Sequence, residues 1–188
     1  MARPLVARQM IGSVFRGYVD ALKKRGWVDE VLPRLSPDAA ALVRSPPFPL
    51  RWLDFKSSDE VTGAIHELKG PQAVRDFLHD VLRDSVGPLL RPLISSFLSI
   101  VGGGPETLFS RMDSFAPPII KGTSFRWTST GPESGELELT HGQPISLPAW
   151  LAWEGTLLFA YDVTKKQGTV SETRVSPDGL TGTIAVRW

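Results

Sequence analysis

Pro117 and Pro118 divide this chain into two parts with different hydrophobic periods, and that switch restricts the fold more than any other feature. Upstream, apolar residues recur at helical spacing, beginning with Val14, Phe15, Tyr18, Val19 and Leu22. Downstream, "GTSFRWTST" and "GELELTHG" alternate apolar and polar residues around "GPESG", the pattern of a hairpin with a Gly-containing loop. The segment "LPAWLAWEGTLLFAYDV" returns to helical character, after which "GTVSETRV", "SPDG" and "LTGTIAVRW" read as a second hairpin. The order predicts an α+β fold: a mainly helical layer over 10–115, then a ββαββ unit over 118–188 whose four-stranded antiparallel sheet is covered on one face by helices. A length of 188 residues suits one domain, 1–188, and the diproline junction is too short to separate independent units.

Within the helical part, the first helix should stop at Gly26. Its last turn carries Lys23, Lys24 and Arg25, cations that the helix dipole favours at a C-terminus without any binding role. Short helices follow over 28–35 and 38–43, and "SPPFPL" then breaks the chain. Ser57 or Ser58 is placed to cap a helix running to about residue 68, Gly70 ends it, and Pro71 opens the next. That next helix offers Phe77, Leu78, Val81 and Leu82 as its buried stripe. Residues 89–101 read as a nearly all-apolar central helix despite Arg91.

Three consecutive glycines, Gly102 to Gly104, raise the possibility of a phosphate cradle, but the context argues against it. A P-loop needs a strand before the glycines and Lys-Ser/Thr after them, and here the preceding segment is helical and Glu106 stands where an anion would sit. The better reading is mechanical: Gly102 provides a left-handed helix stop, Gly103 and Gly104 turn the corner, and Pro105 opens another helix. With no Cys, the chain has no thiolate metal site, disulfide or cysteine nucleophile. Its three His, 66, 79 and 141, form no i,i+4 pair, so no metal site is expected. A G-x-S-x-G elbow is absent, and no catalytic constellation emerges. Lys and Arg number 21 against 20 Asp and Glu, a balance that excludes a strongly basic nucleic-acid surface. The longest apolar stretch, "PLLRPLISSFLSIV", is too short for a membrane span, and a cytoplasmic protein without a secretory leader is expected.

Glu154 is the only charge between Trp150 and Tyr161. Helical spacing sets it on one face with Trp150, Leu157, Leu158 and Tyr161, while Gly155 leaves room for another element to approach. The carboxylate is either buried with a partner, Arg126 or Arg187 from the sheet, or lies along the solvent edge. His79, near Phe77, Leu78 and Leu82, is open to three readings: an interior histidine, a haem ligand or a surface residue.

The residues "SIVGGGPETLFSRMDSF", "FRWTSTGPESGELELTHG", "WEGTLLFAYDV" and "LTGTIAVRW" together resemble a paralogous family of uncharacterised myxobacterial proteins, over most of the chain. Helices followed by ββαββ are more distantly similar to the four-vinyl-reductase and haem-NO-binding group, which also includes the transport-particle subunits. That resemblance implies a late helix carrying a glycine, matched by Gly155, packed on an antiparallel sheet, with haem, hydrocarbons, acyl chains or protein partners bound. It carries over no metal, because the cysteines of some members have no counterpart. Haem-NO-binding members use a helical His with a Tyr-x-Ser-x-Arg motif, whereas Tyr18 and Tyr161 are followed by "VDAL" and "DVTK", so no haem or other cofactor is expected.

These readings predict a non-enzymatic regulatory or sensory module that holds a small apolar ligand against Trp150, Trp153, Leu157 and Phe97, with Glu154 beside them. The alternative is a protein-interaction or homodimerisation module with no small-molecule ligand.

Overall fold

The stripe read from the sequence lies buried along α1 (Gly12–Arg25), which ends at Gly26 in the left-handed conformation, φ 67°. The computed structural model describes residues 7–86 and 103–188, so the apolar segment 89–101 with Arg91 and Phe97, and the expected helix stop at Gly102, lie outside the described residues. After α1 come α2 (Val28–Val31), a 3-10 turn (Leu32–Arg34) and α3 (Pro37–Arg44).

The next helix, α4 (Lys56–Lys69), is not capped by Ser57 or Ser58. Asp54 Oδ1 accepts from the Lys56 amide at 2.7 Å, and Ser58 is buried inside the first turn with its hydroxyl donating to the Phe55 carbonyl at 2.7 Å. Gly70 and Pro71 make the corner to α5 (Pro71–Val81), which continues as a π turn (Leu82–Val86). Pro105 opens α6 (Pro105–Phe109), followed by α7 (Met112–Phe115).

The described residues form two antiparallel sheets. The smaller joins β1 (Gln9–Ile11), β2 (Trp52–Asp54) and β3 (Ile120–Lys121) in the order β2-β1-β3. Strands of two or three residues have no readable period, and for that reason the sequence did not announce them.

The larger sheet pairs β4 (Thr123–Gly131) with β5 (Ser134–His141) and β5 with β8 (Thr181–Arg187). The expected third strand, the first of the second hairpin, is split into β6 (Thr169–Val170) and β7 (Arg174–Val175), both on the far edge of β8, so the sheet has five strands rather than four. The break occurs where Thr173 turns its amide and hydroxyl toward Glu154, each donating to Oε1 at 2.7 Å. Gly135, Leu137, Leu139 and His141 of β5 alternate onto the buried face, opposite Val186, Ile184 and Gly182 of β8. The other face carries ion pairs, Arg126 with Glu138 at 2.8 Å and Arg174 with Glu136 at 2.5 Å.

Helix α8 (Leu147–Thr164) covers the buried face of this sheet and is itself covered by α5. Gly155 makes that approach possible: a Cβ there would stand 2.1 Å from the Arg75 carbonyl oxygen of α5. Among the described residues, one buried apolar cluster runs from α1 through α4 and α5 to α8 and the sheet.

Candidate functional site

One face of α8 carries Ala149, Ala152, Trp153, Thr156, Leu157 and Ala160, the i, i+3, i+4, i+7, i+8, i+11 sequence of a single helical stripe. Four of the six are small. Facing them are Val14 and Tyr18 of α1, Leu78 of α5, Leu108 and Phe109 of α6, and Met112 of α7, and the shortness of the α8 side chains leaves a cavity of about 130 Å³ between the layers. Its wall is almost wholly apolar.

The polar end is built by the small sheet. β1 carries Arg8 just before its first residue, and Arg8 is 2% exposed. Its Nη1 donates to Asp59 Oδ2 of α4 at 2.9 Å, and its guanidinium lies 4.2 Å from the centre of the Phe55 ring. Both Arg8 and Asp59 belong to the cavity wall. Desolvation by burial raises the Asp59 carboxyl, and the adjacent Arg8 charge opposes the rise. Burial also raises the Tyr18 phenol, which stays protonated at any physiological pH.

Of the residues singled out in the sequence, Trp153 and Leu157 line the cavity, and Phe97 lies outside the described residues. Trp150 and Glu154 do not line it. Trp150 is 2% exposed and faces the sheet, 5.1 Å between ring centres from His141 and close over Gly182. Glu154 is buried, as one of the two readings of its position required, but its partner is neither Arg126 nor Arg187. Arg75 Nε of α5 donates to Oε2 at 2.5 Å, and Thr173 fills the other oxygen. Helix packing supplies this pair, and no sequence spacing foreshadows it.

His79 is half-buried at the α5–α8 seam, its Nε2 2.8 Å from Asp162 Oδ2, and it does not line the cavity. His141 is fully buried between the rings of Trp150 and Trp153, with Nδ1 paired to the Thr123 hydroxyl at 3.0 Å and Nε2 without a partner. Burial lowers its pKa from 6.5 to about 3, and the Arg8 charge adds to the effect. The folded state therefore refuses a proton that the unfolded chain accepts. The stabilising contribution is complete above pH 6.5 and is lost as the pH falls toward 3, at up to about 1.4 kcal/mol per pH unit. In denaturant melts between pH 7 and 4.5, wild type should lose stability more steeply than His141→Gln; parallel curves would show that His141 is protonated in the fold.

Sequence reasoning missed the small-residue stripe and Arg8. The stripe was legible as alanines and a threonine at helical spacing, but attention to large side chains hides the residues that make room. Arg8 had no local signal at all.

No family model and no curated protein matches the sequence. Solved structures do match in fold. The Fe(II) unliganded H-NOX protein from K. algicida aligns over 95% of this chain and 96% of its own, with 9% identity and a TM-score of 0.70. An oxygen-binding H-NOX domain related to soluble guanylate cyclases, solved as its oxygen complex, aligns over 95% and 94%, with 14% identity and a TM-score of 0.61. A third structure, from work on haem distortion in the H-NOX family, aligns over 95% of each chain with 14% identity and a TM-score of 0.60. The fold is thus H-NOX-like.

The cavity does not suit a haem. Protein ligands to haem iron are His, Cys thiolate, tyrosinate or Met paired with His. The chain has no Cys, and neither His79 nor His141 is in the wall; His66 is on α4 and also outside it. Burial raises the phenol of Tyr18, which is in the wall, and so disfavours the tyrosinate that iron would need. Met10 and Met112 remain, without a histidine to pair with. Among the described residues no group of three or more His, Asp or Glu is placed to hold a metal ion, and no helix is long and apolar enough to cross a membrane.

Proposed function

We propose that this protein is a non-enzymatic sensory or regulatory module, working in the cytoplasm, that holds a small apolar molecule in the cavity between α8 and α1. The observation that carries the reading is the α8 stripe: small residues beside Trp153 and Leu157 leave an apolar cavity between the packed helical layers. The neighbouring structures support it in a general way, since they are an iron protein and an oxygen-binding domain of the same fold. Here an apolar molecule takes the place of haem, because no His or Cys stands among the described residues of the wall.

Ethylbenzene is a suitable probe. It should quench or shift the fluorescence of Trp153 and raise the melting temperature with concentration, by about 2.7 kcal/mol of stabilisation at a hundred times the Kd. Ala152→Leu fills the space and should abolish the response while leaving the protein folded. Haemin added in parallel should give no Soret band stoichiometric with protein. A melting temperature indifferent to the probe, or a stoichiometric Soret band, overturns the proposal. The interaction-module alternative draws on Phe48 and Leu50, which are 70% and 69% exposed, and native mass spectrometry showing a dimer without retained small molecule would favour it.

A further inference from the structure

The segment "SPPFPL" does more than break the chain after α3. Phe48 and Leu50 project from it with more than two-thirds of their surfaces exposed. Slackness is not the cause. Pro46, Pro47 and Pro49 each fix a φ angle, the Arg51 amide donates to the Phe48 carbonyl at 3.0 Å, and the first amides of α1, Gly12 and Ser13, donate to the Arg51 and Pro49 carbonyls at 2.7 and 2.8 Å. A Cβ on Gly12 would stand 2.2 Å from the Phe48 carbonyl oxygen, so the start of α1 is shaped to seat this turn. The turn is held on the body of the protein while two large apolar side chains face water, and little backbone freedom remains to be lost when they are covered.

The charges beside this tip have one sign. From Arg44 to Trp52 the sequence holds Arg44 and Arg51 and no acidic residue. Arg16 of α1 reaches the same turn, its Nη1 donating to the Pro47 carbonyl at 3.4 Å. All three arginines are exposed, and none is in an ion pair among the described residues. Where the chain leaves the turn, Lys121 of β3 lies 3.8 Å from the centre of the half-buried Trp52 ring and adds a fourth cation. The carboxylates nearest in the chain are Asp54, which accepts from the Lys56 amide at 2.7 Å, and Asp20, one turn beyond Arg16 on α1.

Shape and charge select the partner. Two side chains on a turn cover far less than the roughly 1,200–2,000 Å² of a stable protein interface, whereas a bilayer takes up small apolar tips and attracts basic side chains to anionic headgroups. We propose that this turn is a membrane-docking tip: Phe48 and Leu50 enter the headgroup–acyl boundary of an anionic phospholipid surface, and Arg16, Arg44 and Arg51 lie against its headgroups. The cavity and its ligand have no part in the proposal.

Sedimentation with vesicles tests it. Vesicles of phosphatidylglycerol and phosphatidylcholine in equal parts should bind the protein at low salt, and phosphatidylcholine alone should bind it far more weakly. Phe48→Ala combined with Leu50→Ala should weaken binding at least about tenfold, because two apolar side chains leave the acyl boundary. A cation near such a surface is worth about 1 kcal/mol, or about fivefold, so Arg44→Gln combined with Arg51→Gln should cost about 25-fold. Lys165→Gln combined with Lys166→Gln removes the same charge from the end of α8 and should change binding less than about twofold. All six positions are exposed, so melting temperatures near that of wild type should show that the variants are folded. Phe48→Trp supplies a second readout: compared with wild type, it should gain fluorescence that lipids brominated on their acyl chains quench. No binding to the anionic vesicles, equal losses from the two charge-removing pairs, or an unquenched Phe48→Trp signal overturns the proposal. A dimer in native mass spectrometry that Phe48→Ala with Leu50→Ala dissolves assigns the turn to a second copy of the chain and overturns it as well.

Discussion

Trp150→Ala should remove about 3–5 kcal/mol of folding stability, the range for deleting a large aromatic from a packed interior. The indole is 2% exposed and fills the seam between α8 and the sheet, lying over Gly182 and against His141. A Cβ at Gly182 would approach the ring at 2.5 Å, so the sheet is shaped to this side chain and the hole cannot close by a small shift. Trp153→Ala should cost about 1–2 kcal/mol less by the same argument, because one side of that ring already borders the cavity and forfeits packing there. Its other contacts, an edge-on approach to Phe125 at 5.6 Å and the His141 ring at 5.9 Å, keep the loss from being small. Paired chemical denaturation of the two variants measures the difference; equal losses would mean that Trp153 is packed on all sides.

Glu154→Ala should be comparably damaging, about 3 kcal/mol or somewhat more. Removing one partner of a buried ion pair leaves the other without compensation, which typically costs about 3–5 kcal/mol. Two sets of donors lose their acceptor: Arg75 Nε of α5, and the Thr173 amide and hydroxyl between β6 and β7. Arg75 keeps 21% of its side chain exposed, so water recovers part of its share and the effect sits toward the lower end of that range. Glu154→Gln retains an acceptor for Thr173 and should lose less than the alanine variant. The two substitutions thus separate the charge from the hydrogen bonds, and an alanine variant within about 0.5 kcal/mol of wild type would contradict the account.

The consequence for the fold is that Glu154 ties three elements together, α5, α8 and the broken edge of the sheet. The same carboxylate that anchors α5 takes up the Thr173 backbone where the first strand of the last hairpin is divided in two. A charge in an otherwise apolar helix was visible in the sequence, and so was the need for a partner. Its identity was not, because Arg75 and Glu154 are 79 residues apart and meet only through the Gly155 contact between α5 and α8.

What the sequence determined by itself was everything that repeats over one or two turns or along one strand. The stripe from Val14 to Leu22, the stops at Gly26 and Gly70, the alternation of β5 and the helix around Trp153 each rest on local sterics and on the burial of one face. The α+β order followed from the change of period at Pro117, as did the β4–β5 hairpin. Only the tertiary structure decided the rest. The small sheet needs Gln9–Ile11, Trp52–Asp54 and Ile120–Lys121 brought together from three places, and no two or three residues carry a period that announces such pairing. That sheet carries Arg8 to Asp59, and the short side chains of α8 become a cavity only once α1 is packed opposite them. Empty space and ion pairs between distant segments belong to the packed chain, because each is fixed by how far two surfaces approach, a quantity that no local spacing encodes.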